Sequence, residues 1–584
     1  MMLDTWISKG IQQITSKSDI LDKSIIRDAE LLVNHYVVFN NDWDMERCCT
    51  PYLVDVNKAY LSPNNDGEWV YQYTRMEYLH KLVIAFLITN NQKYINSYNQ
   101  YVLSFFSTNT PNIPYSNTYP KNPLLKKAFS LSDIFKHRIL GIPYKYPTYR
   151  TLDTAIRSYS LLIDSLYLKD IETVNISYIV SMVKRDVEYA LNNLRDFDRT
   201  SNWGIIILSL SLSCRVIIGD KLDTIPALEN QLNGLLRNQI KKDGGHIENS
   251  LMYNSQILLC LLRLIYWSNK NKIIIHPEIL EYARIIAKYI SIMSGPDGYQ
   301  IQYGDSDKTN VSTLLFLSQK VLNCEDMVIH SMPNDLLLVM EFPDLLEDYF
   351  AFERPIFIST DKNHILNDGI WAYSDNMWDI RVFNEYSHSS HNHADNGEII
   401  LYCNNYPVLI DCGRFSYSDL PKRKFYRGPF AHNIVTMDNG LEWKSENANH
   451  FNTSPSNIKT QYVDHALVCE YEFNVPASKF SRCITVDKSG VSILSDIICQ
   501  GEHIIQTIWN IPEFAEIQEQ GNTLFISCSK YKLRIVHDGQ SIGIRRGTCS
   551  YHYNEETDIT TLIISSNFVN HGRLSVHFSS CECV

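Results

Sequence analysis

The sequence predicts a multidomain α+β protein, an N-terminal (α/α) toroid of helical hairpins followed by a C-terminal antiparallel β-sandwich. Residues from about 25 to 335 repeat apolar side chains at helical spacing. Residues after about 365 instead form short alternating or β-branched runs separated by turn residues. The stretch between them, 332–363, holds three prolines and few helical signals. We therefore predict three segments: a toroid domain at 1–340, a linker at 341–365 and a sandwich domain at 366–584.

The predicted helices are separated by polar or Pro/Gly-containing connectors, such as 109–117 and 241–249. Many helices with short links favour hairpins stacked side by side, as in an open toroid, and a simple bundle is the alternative. The predicted helices are 75–89, 92–107, 151–167, 179–194, 202–214, 228–239, 250–267 and 277–294.

The predicted strands of the second part are punctuated by turn sequences such as KSG, CQG and HDGQ. This density of short strands indicates an antiparallel sandwich. The predicted strands are 371–374, 380–383, 398–402, 407–411, 433–437, 466–473, 481–486, 491–498, 503–509, 523–527, 533–536 and 560–565.

The net charge of -12 over 584 residues argues against nucleic acid as the main partner, because a phosphate backbone needs a basic surface. A polyanionic sugar needs only a local basic cleft. Five basic residues of the second part could line one, and the alternative is a solvated loop. They are Arg414, Lys422, Arg423, Lys424 and Arg427.

The bulk properties favour a cytoplasmic protein. The N-terminus has no apolar h-region, and no uninterrupted apolar run reaches the roughly 18 residues of a membrane span. The fourteen cysteines are scattered without metal-finger spacing, which suits reduced, buried thiols. A chain trimmed of its leader would look similar, and a homo-oligomer is left open.

Histidines concentrate between residues 385 and 439. His391 and His393 are two residues apart, so on extended backbone they point to the same face. Asp411 follows at a strand end, and His432 precedes another strand. An Asp and a third His from neighbouring strands could close a His-Asp-His site around a metal such as zinc.

Two further motifs lie in the helical part. In DGGHIENSLMYN, residues 243–254, two glycines permit a tight turn before a helix on which Asn249 and Tyr253 share a face. A buried aromatic core residue is the usual role of such a tyrosine. In RTSNW, residues 199–203, Ser201 or Asn202 could simply cap a helix.

The order of these motifs resembles the heparinase II/III-like polysaccharide lyases, from about residue 40 to 510. In that family a His-x-His-x-Asp run, a strand, a Pro-Leu-Leu-x-Asp-x-Gly turn and a His-Asn-x-Val strand follow one another, as here around His393, Asp411 and His432. The 243–254 motif matches the family's Asp-Gly-x-His-x-Glu-x-Ser-x-x-Tyr signature. Two departures stand out: Trp203 where some relatives carry histidine, and Cys412 where proline or serine is commoner.

The resemblance implies cleavage of a 4-O-glycosidic bond next to a uronic acid by β-elimination. Asn202, assisted by His391 or His246, would neutralise the uronate carboxyl. Tyr253 would be the acid, and also the base when proton and leaving group are syn, whereas His391 would be the base when they are anti. Ionisation of the tyrosine would need nearby positive charge, from His246, Arg75 or the basic cluster.

The resemblance also implies a structural zinc ion held by His393, Asp411 and His432, with His391 facing the cleft. Helices bearing Arg75 and Arg157 would line the cleft, although both arginines could equally make structural ion pairs. The implied substrate is an anionic, glycosaminoglycan-like poly- or oligosaccharide. Its expected contacts are Glu248, Arg75, Arg157, Trp203, Arg414 and Arg427.

Three alternatives stay open on the sequence. A zinc hydrolase would use the same three metal ligands with an open position for water. A non-catalytic carbohydrate-binding protein would keep the fold without turnover. An alginate or other non-sulfated uronate lyase would share the chemistry but not the glycosaminoglycan substrate.

Overall fold

The computed structural model describes residues 2–17, 23–111, 145–325, 327–353, 362–366, 369–386, 389, 391–447, 450–513 and 515–583. Its first part is helical, as predicted. The helices are Met2–Ser16, Lys23–Val33, Gly67–Arg75, His80–Thr89, Gln92–Thr108, Thr151–Tyr167, Ile176–Asn192, Asn202–Ile218, Ile225–Gln239, Leu251–Lys270, Pro277–Ile292, Ser312–Leu322, Leu336–Val339 and Leu346–Phe350.

Most predicted helices lie within a few residues of those observed, but the helix predicted at 75–89 begins five residues later, at His80. Met76 adopts a left-handed conformation, with φ of 61°, so the chain breaks between the helices Gly67–Arg75 and His80–Thr89. Successive helices pack on each other around a large apolar core. Closure of these hairpins into a toroid stays a prediction.

The second part is formed by antiparallel strands, as predicted. A five-stranded sheet has the order of the chain, from Lys362–Leu366 through Ile370–Ser374, Trp378–Phe383 and Glu398–Cys403 to Tyr406–Leu409. A larger sheet contains Val435–Met437, Ser456–Val463, Ala466–Asn474, Ala477–Asp487, Gly490–Ile511, Glu516–Gln520, Thr523–Ser527, Tyr531–His537, Ser541–Cys549 and Thr557–Cys583.

Several elements differ from the prediction. The predicted strands 491–498 and 503–509 belong to one long strand, Gly490–Ile511. Its pairing with the neighbouring strand is irregular between Ile498 and Glu502. A hairpin of Tyr36–Phe39 and Cys48–Leu53 lies within the helical part. A short pair, Ser445–Asn447 with His450–Phe451, and a helix, Leu420–Tyr426, lie within the β-rich part.

The five-stranded sheet is buried on both faces. Every residue of Trp378–Phe383 and of Glu398–Cys403 is buried. One face packs on the large sheet through residues such as Ile380 and Leu401, and the other packs on the helices. On that second face, Phe383 stacks on Tyr303 with ring centroids 4.2 Å apart. The sheet therefore lies between the helices and the large sheet.

The predicted linker, 341–365, is described only in part. Residues 343–350 are helical, the strand Lys362–Leu366 opens the sheet, and residues 354–361 lie outside the described part. Within the described ranges, no helix has the length and apolarity needed to cross a membrane.

Candidate active site

A cleft of about 650 Å³ opens where the helical part meets the β-rich part. Side chains from both parts line it, so it depends on how they pack. Of the predicted catalytic and substrate-contacting residues, four lie outside its walls: Arg157, His246, Arg414 and Arg427. The predicted residues that line it are Arg75, Asn202, Trp203, Glu248, Tyr253 and His391.

A tight turn at Gly244 precedes the helix that contains Tyr253. Gly244 has φ of +101°, and a Cβ there would lie 2.3 Å from the carbonyl oxygen of Ile285, so glycine is required. Asn254 fixes the turn, because its Nδ2 donates to the Gly244 carbonyl at 2.6 Å and its Oδ1 accepts from the His246 N–H at 3.0 Å.

The helix after this turn begins at Leu251, so Tyr253 stands in its first turn. Asn249, predicted on the same helical face, precedes the helix instead, in a left-handed conformation with φ of 52°. Its Oδ1 accepts from Lys241 Nζ at 2.8 Å. The Ser250 hydroxyl donates to the backbone carbonyl of Asp305 at 2.7 Å, which ties the start of the helix to a second loop.

The Tyr253 hydroxyl contacts residues from the β-rich part. It lies 2.8 Å from the Tyr417 hydroxyl and 3.5 Å from His391 Nδ1. Tyr417 donates its own proton to Asp305 Oδ2 at 3.1 Å, so Tyr253 is the donor between the two tyrosines. Burial, with the nearby Tyr417 and Asp305, raises the pKa of Tyr253 well above its usual value, although Arg414 opposes this. The phenol is therefore protonated at neutral pH.

A buried carboxylate orients His391. Asp305 Oδ2 lies 2.6 Å from His391 Nδ1, and Asp305 Oδ1 lies 2.9 Å from His393 Nε2. Burial opposes the ionisation of Asp305, but the Arg423 guanidinium and the two histidines outweigh it and hold its pKa well below the usual range. With Nδ1 engaged by Asp305, His391 presents Nε2 toward Glu248, whose Oε2 lies 3.6 Å away.

Asn202 enters the cleft from the start of the helix Asn202–Ile218. It is the first helical residue after Ser201, and its side chain is 2% exposed. Its backbone N–H donates to Glu248, which lowers the pKa of that carboxyl, but burial dominates and raises the pKa overall. An amide and a carboxyl therefore stand side by side on this wall.

His246 does not occupy the role that the resemblance implies. It is 1% exposed, its Nε2 lies 3.0 Å from Gln239 Oε1, and its Nδ1 accepts from the Glu248 N–H at 3.3 Å. Burial lowers its pKa to about 3, so the ring is neutral at neutral pH. The positive charge expected beside Tyr253 does not come from His246.

The two predicted arginines of the helical part make ion pairs. Arg157 is fully buried and pairs with Asp186 at 2.8 Å, behind the cleft wall. Arg75 borders the cleft, but its Nε pairs with Asp153 at 2.9 Å and its Nη1 with Glu46 at 2.8 Å. Both side chains thus have the structural role that the sequence left as the alternative.

The basic cluster at 414–427 is partly buried rather than a solvated loop. Arg414 pairs with Asp307 at 2.8 Å and donates to the Tyr417 hydroxyl at 3.2 Å. Arg427 donates to the Asn392 carbonyl through Nε at 3.1 Å and Nη2 at 2.6 Å. Neither lines the cleft, so both support its wall from behind.

A second cluster of titratable groups is buried away from the cleft. His432 Nδ1 lies 2.7 Å from Asp411 Oδ2 and 3.4 Å from Glu398 Oε2, and donor atoms of these three residues lie within 4.8 Å of one another. Burial lowers the pKa of His432, but the two carboxylates outweigh it and raise that pKa well above its usual value. His432 Nε2 has no hydrogen-bond partner among the described residues.

This cluster differs in one residue from the predicted metal ligands, which were His393, Asp411 and His432. Glu398 stands where His393 was expected, because His393 turns its Nε2 to Asp305. The rings of His393 and His432 are nevertheless 5.2 Å apart between centroids, and His393 Nδ1 has no partner in the described part of the chain. Two carboxylates and an imidazole, with a second imidazole beside them, fit a divalent cation such as zinc.

Sequence reasoning missed Asp305, Tyr417 and Glu398. Asp305 follows Gly304, whose φ is +55° and whose Cβ position would lie 2.2 Å from the Asn249 carbonyl oxygen. The Gly-Asp-Ser-Asp run at 304–307 was therefore a signal of a tight, polar loop. Glu398 is the first residue of a predicted strand whose other residues are mostly apolar, so nothing in the strand pattern indicates a metal ligand. No local sequence pattern indicates a functional role for Tyr417.

Comparisons with known proteins agree with this architecture. The crystal structure of heparinase III has a TM-score of 0.71 at 15% identity, covering 96% of this chain and 85% of that chain. The heparan sulfate lyase from Pedobacter heparinus has a TM-score of 0.57 at 15% identity, covering 96% and 84%. The Streptomyces coelicolor A3 chondroitin AC lyase, solved with chondroitin sulphate, has a TM-score of 0.58 at 10% identity, covering 99% and 83%. At such identities these similarities show the fold.

Sequence comparison identifies the family. A search of curated proteins found no match. Residues 12–323 match the description "Heparinase II/III N-terminus", and residues 358–575 match "Heparinase II/III-like, C-terminal". The two matches follow in order and together span most of the chain, which therefore belongs to the heparinase II/III family of polysaccharide lyases.

Proposed function

We propose that this lyase cleaves the 4-O-glycosidic bond next to a uronic acid in a glycosaminoglycan-like chain by β-elimination, leaving a 4,5-unsaturated uronate. One observation carries the proposal: Tyr253, His391 and Asn202 line a single cleft. The names of the similar solved structures refer to heparin, heparan sulfate and chondroitin, all of which contain a uronic acid.

The environment of Tyr253 favours the role of acid. Because burial keeps its phenol protonated, Tyr253 can give its proton to O4 as the C4–O4 bond breaks. The electrons of the C5–H bond then form the C4–C5 double bond. The alternative role as base in a syn elimination would need an ionised phenol, which the raised pKa disfavours.

His391 is the better-placed base. Asp305 engages Nδ1, which leaves Nε2 on the side of the ring that faces Glu248 and Asn202. A neutral imidazole in this tautomer can take the C5 proton at Nε2. Its ring also packs edge-on against Tyr253, with centroids 4.8 Å apart, so the base and the acid are adjacent.

The carboxyl of the substrate must be stabilised as charge develops on it. The Asn202 amide can donate to an enolate-like carboxyl without adding charge of its own. Glu248 lies beside it, and burial raises the pKa of its carboxyl. Trp203 lines the same wall and offers apolar surface to a sugar ring.

We further propose that Glu398, Asp411 and His432 hold a zinc ion, with His393 Nδ1 as a fourth candidate donor. Zinc in such a set would act as a structural cross-link between the strand Glu398–Cys403 and the turn before Val435–Met437. The cluster is buried and does not line the cleft, which speaks against the alternative of a zinc hydrolase.

The direct experiment is a panel of uronic-acid polysaccharides incubated with purified protein. A rise in ultraviolet absorbance from an unsaturated uronate supports the lyase, whereas saturated products would indicate a hydrolase. Binding without turnover on every polymer would instead indicate a carbohydrate-binding protein. An alginate in the panel tests the alternative of a lyase outside the glycosaminoglycans.

A further inference from the structure

Three potential metal-ligand atoms converge on one stretch of the β-rich part, and their residues are not among those that line the cleft. Cys499 Sγ lies 3.4 Å from His503 Nε2, and that nitrogen lies 2.9 Å from the backbone carbonyl oxygen of Gln500. Cys499 Sγ lies 3.9 Å from the same oxygen. A sulfur, a nitrogen and an oxygen atom therefore form one compact triangle.

An irregularity in the long strand Gly490–Ile511 brings the two side chains together. On a regular strand, residues four positions apart stand about 13 Å apart. Here the pairing with the neighbouring strand is irregular between Ile498 and Glu502, and Gly501 within this stretch has φ of +110°. A Cβ at Gly501 would lie 3.3 Å from His503 Nε2, so this glycine also leaves room beside the nitrogen.

A carboxylate orients the His503 ring. Asp438 Oδ2 lies 2.6 Å from His503 Nδ1, and Asp438 Oδ1 accepts the Ile504 N–H at 2.7 Å, which fixes the carboxylate itself. Asp438 follows the strand Val435–Met437, so the ring is held from a neighbouring strand. Histidines that ligate a metal almost always engage a carboxylate or carbonyl through the other ring nitrogen. Nε2 is thus the nitrogen left for a metal, and it faces the sulfur and the carbonyl oxygen.

The same arrangement could instead suggest a nucleophilic cysteine with a histidine base. A nucleophilic cysteine needs a thiolate at neutral pH. Burial, reinforced by the charges of Asp438 and Glu442, raises the pKa of the Cys499 thiol, so the thiol is protonated in the free protein. This disfavours the nucleophile. A metal ion, by contrast, displaces the thiol proton when it binds.

We propose that Cys499, His503 and the Gln500 carbonyl oxygen bind a thiophilic divalent cation such as zinc, with water completing its coordination. Ligand atoms of tetrahedral zinc lie about 2.0–2.3 Å from the ion, and hence about 3.3–3.8 Å from one another. The observed separations of 2.9, 3.4 and 3.9 Å need shifts of only a few tenths of an ångström. A thiolate and an imidazole favour zinc over magnesium or calcium.

This site differs from the buried cluster of Glu398, Asp411 and His432 in its access to solvent. The His503 side chain is 15% exposed, whereas the three residues of the cluster are buried. An ion at His503 exchanges with solvent and is lost from protein purified without added metal. It therefore adds nothing to the count of tightly held zinc. The inference does not depend on the proposed lyase function.

The test is a titration of the purified protein with Co²⁺, followed by absorbance. Co²⁺ substitutes for zinc and gives a thiolate-to-metal charge-transfer band where a thiolate binds it. The ligands proposed for the buried cluster include no thiol, so that cluster gives no such band. We expect a band that saturates at about one equivalent of Co²⁺ and disappears on addition of Zn²⁺ but not of Mg²⁺. No band at a large excess of Co²⁺ would overturn the inference.

Variants assign the band to its ligands. Cys499→Ser should abolish it, and Asp438→Asn should weaken Co²⁺ binding by about 10–100-fold, because the His503 ring loses its orienting carboxylate. The matched control is Cys49→Ser, since Cys49 is an exposed free thiol on the hairpin of the helical part and its loss should leave the band unchanged. A band that survives in Cys499→Ser, or one that disappears in Cys49→Ser, would overturn the assignment.

His503→Gln keeps the test decisive if Cys499→Ser does not fold, as judged by circular dichroism. The His503 side chain is part-exposed, so this variant leaves the core unchanged. It should weaken Co²⁺ binding by at least about tenfold while the thiol remains. Unchanged affinity in folded His503→Gln protein would show that the histidine is not a ligand and would overturn the inference.

Discussion

Asp305 and Arg423 form an ion pair with no exposed side-chain surface, and Arg423 Nη2 lies 2.8 Å from Asp305 Oδ2. Asp305 comes from a loop of the helical part, and Arg423 comes from the helix Leu420–Tyr426 in the β-rich part. The pair therefore links the two parts of the chain directly behind His391. It also supplies the charge that keeps Asp305 ionised.

Asp305→Asn should destabilise the folded protein strongly, because it removes the carboxylate charge that pairs with the buried Arg423 guanidinium. Loss of one partner of a buried pair costs about 3–5 kcal/mol. The free energy of unfolding from urea titration measures this. The control, Asp464→Asn, changes an exposed turn with φ of 51° that asparagine tolerates, and should change stability little. Equal stability of the two variants would contradict the assigned role.

Glu442 should make stability depend on pH. It is fully buried, and burial raises its pKa to about 7 despite a hydrogen bond from Thr436. Between the unfolded pKa of 4.5 and about 7, the folded state binds more protons than the unfolded state. The contribution of Glu442 to the free energy of unfolding therefore falls as pH rises through this window.

Glu442→Gln removes this dependence. Relative to wild type, the variant should gain up to about 3 kcal/mol in unfolding free energy between about pH 5 and pH 8. Urea unfolding at both pH values measures the gain. The exposed control Glu519→Gln should run parallel to wild type. Parallel curves for Glu442→Gln itself would show that Glu442 is ionised over the whole range.

The buried cluster predicts about one zinc ion per chain, as expected of a single site. His432→Ala should lose the ion and lower the melting temperature together, measured by elemental analysis and thermal unfolding. His393→Ala distinguishes a site of three ligands, Glu398, Asp411 and His432, from a site that also includes His393. This variant should lose the ion only if His393 Nδ1 is the fourth ligand. Wild-type protein purified without chelator and free of metal would contradict the site.

Much of the site could be predicted from the sequence, because short local motifs position several of its residues. Gly244 and the helix at Leu251 place Tyr253, and both follow from a turn signal ahead of an apolar helical run. Asn202 begins a predicted helix at the predicted residue. Strand alternation likewise predicted most of the sandwich.

The partners of these residues could not be predicted, because they arrive from distant segments. Asp305 meets His391 across 86 positions, and Tyr253 meets Tyr417 across 164. The prediction that His393 shares a metal with Asp411 came from the order of the motifs and the family resemblance, whereas the orientation of its ring toward Asp305 depends on tertiary packing. His246 was predicted to act in the cleft because a sequence motif does not show that a side chain is buried.

Asn202→Ala should lower kcat by roughly 10²–10³, by analogy with the loss of one oxyanion-hole donor. Asn202→Asp keeps the shape of the side chain but places a negative charge beside the substrate carboxyl, so kcat should fall by at least as much as in Asn202→Ala. Circular dichroism and melting temperature check the fold of both variants. Near wild-type kcat in Asn202→Ala would show that the amide does not stabilise the developing charge.

The central claim is that Tyr253 donates the proton to the departing oxygen. Tyr253→Phe removes only the hydroxyl, so the fold should survive, and Tyr101→Phe is a matched control because its buried hydroxyl donates to the Leu32 carbonyl away from the cleft. General acid–base catalysis contributes about 10²–10⁴-fold, so kcat of Tyr253→Phe for unsaturated uronate should fall by that order while Tyr101→Phe stays active. If Tyr253→Phe keeps near wild-type turnover while His391→Ala abolishes it, the histidine supplies both proton transfers and the account is wrong.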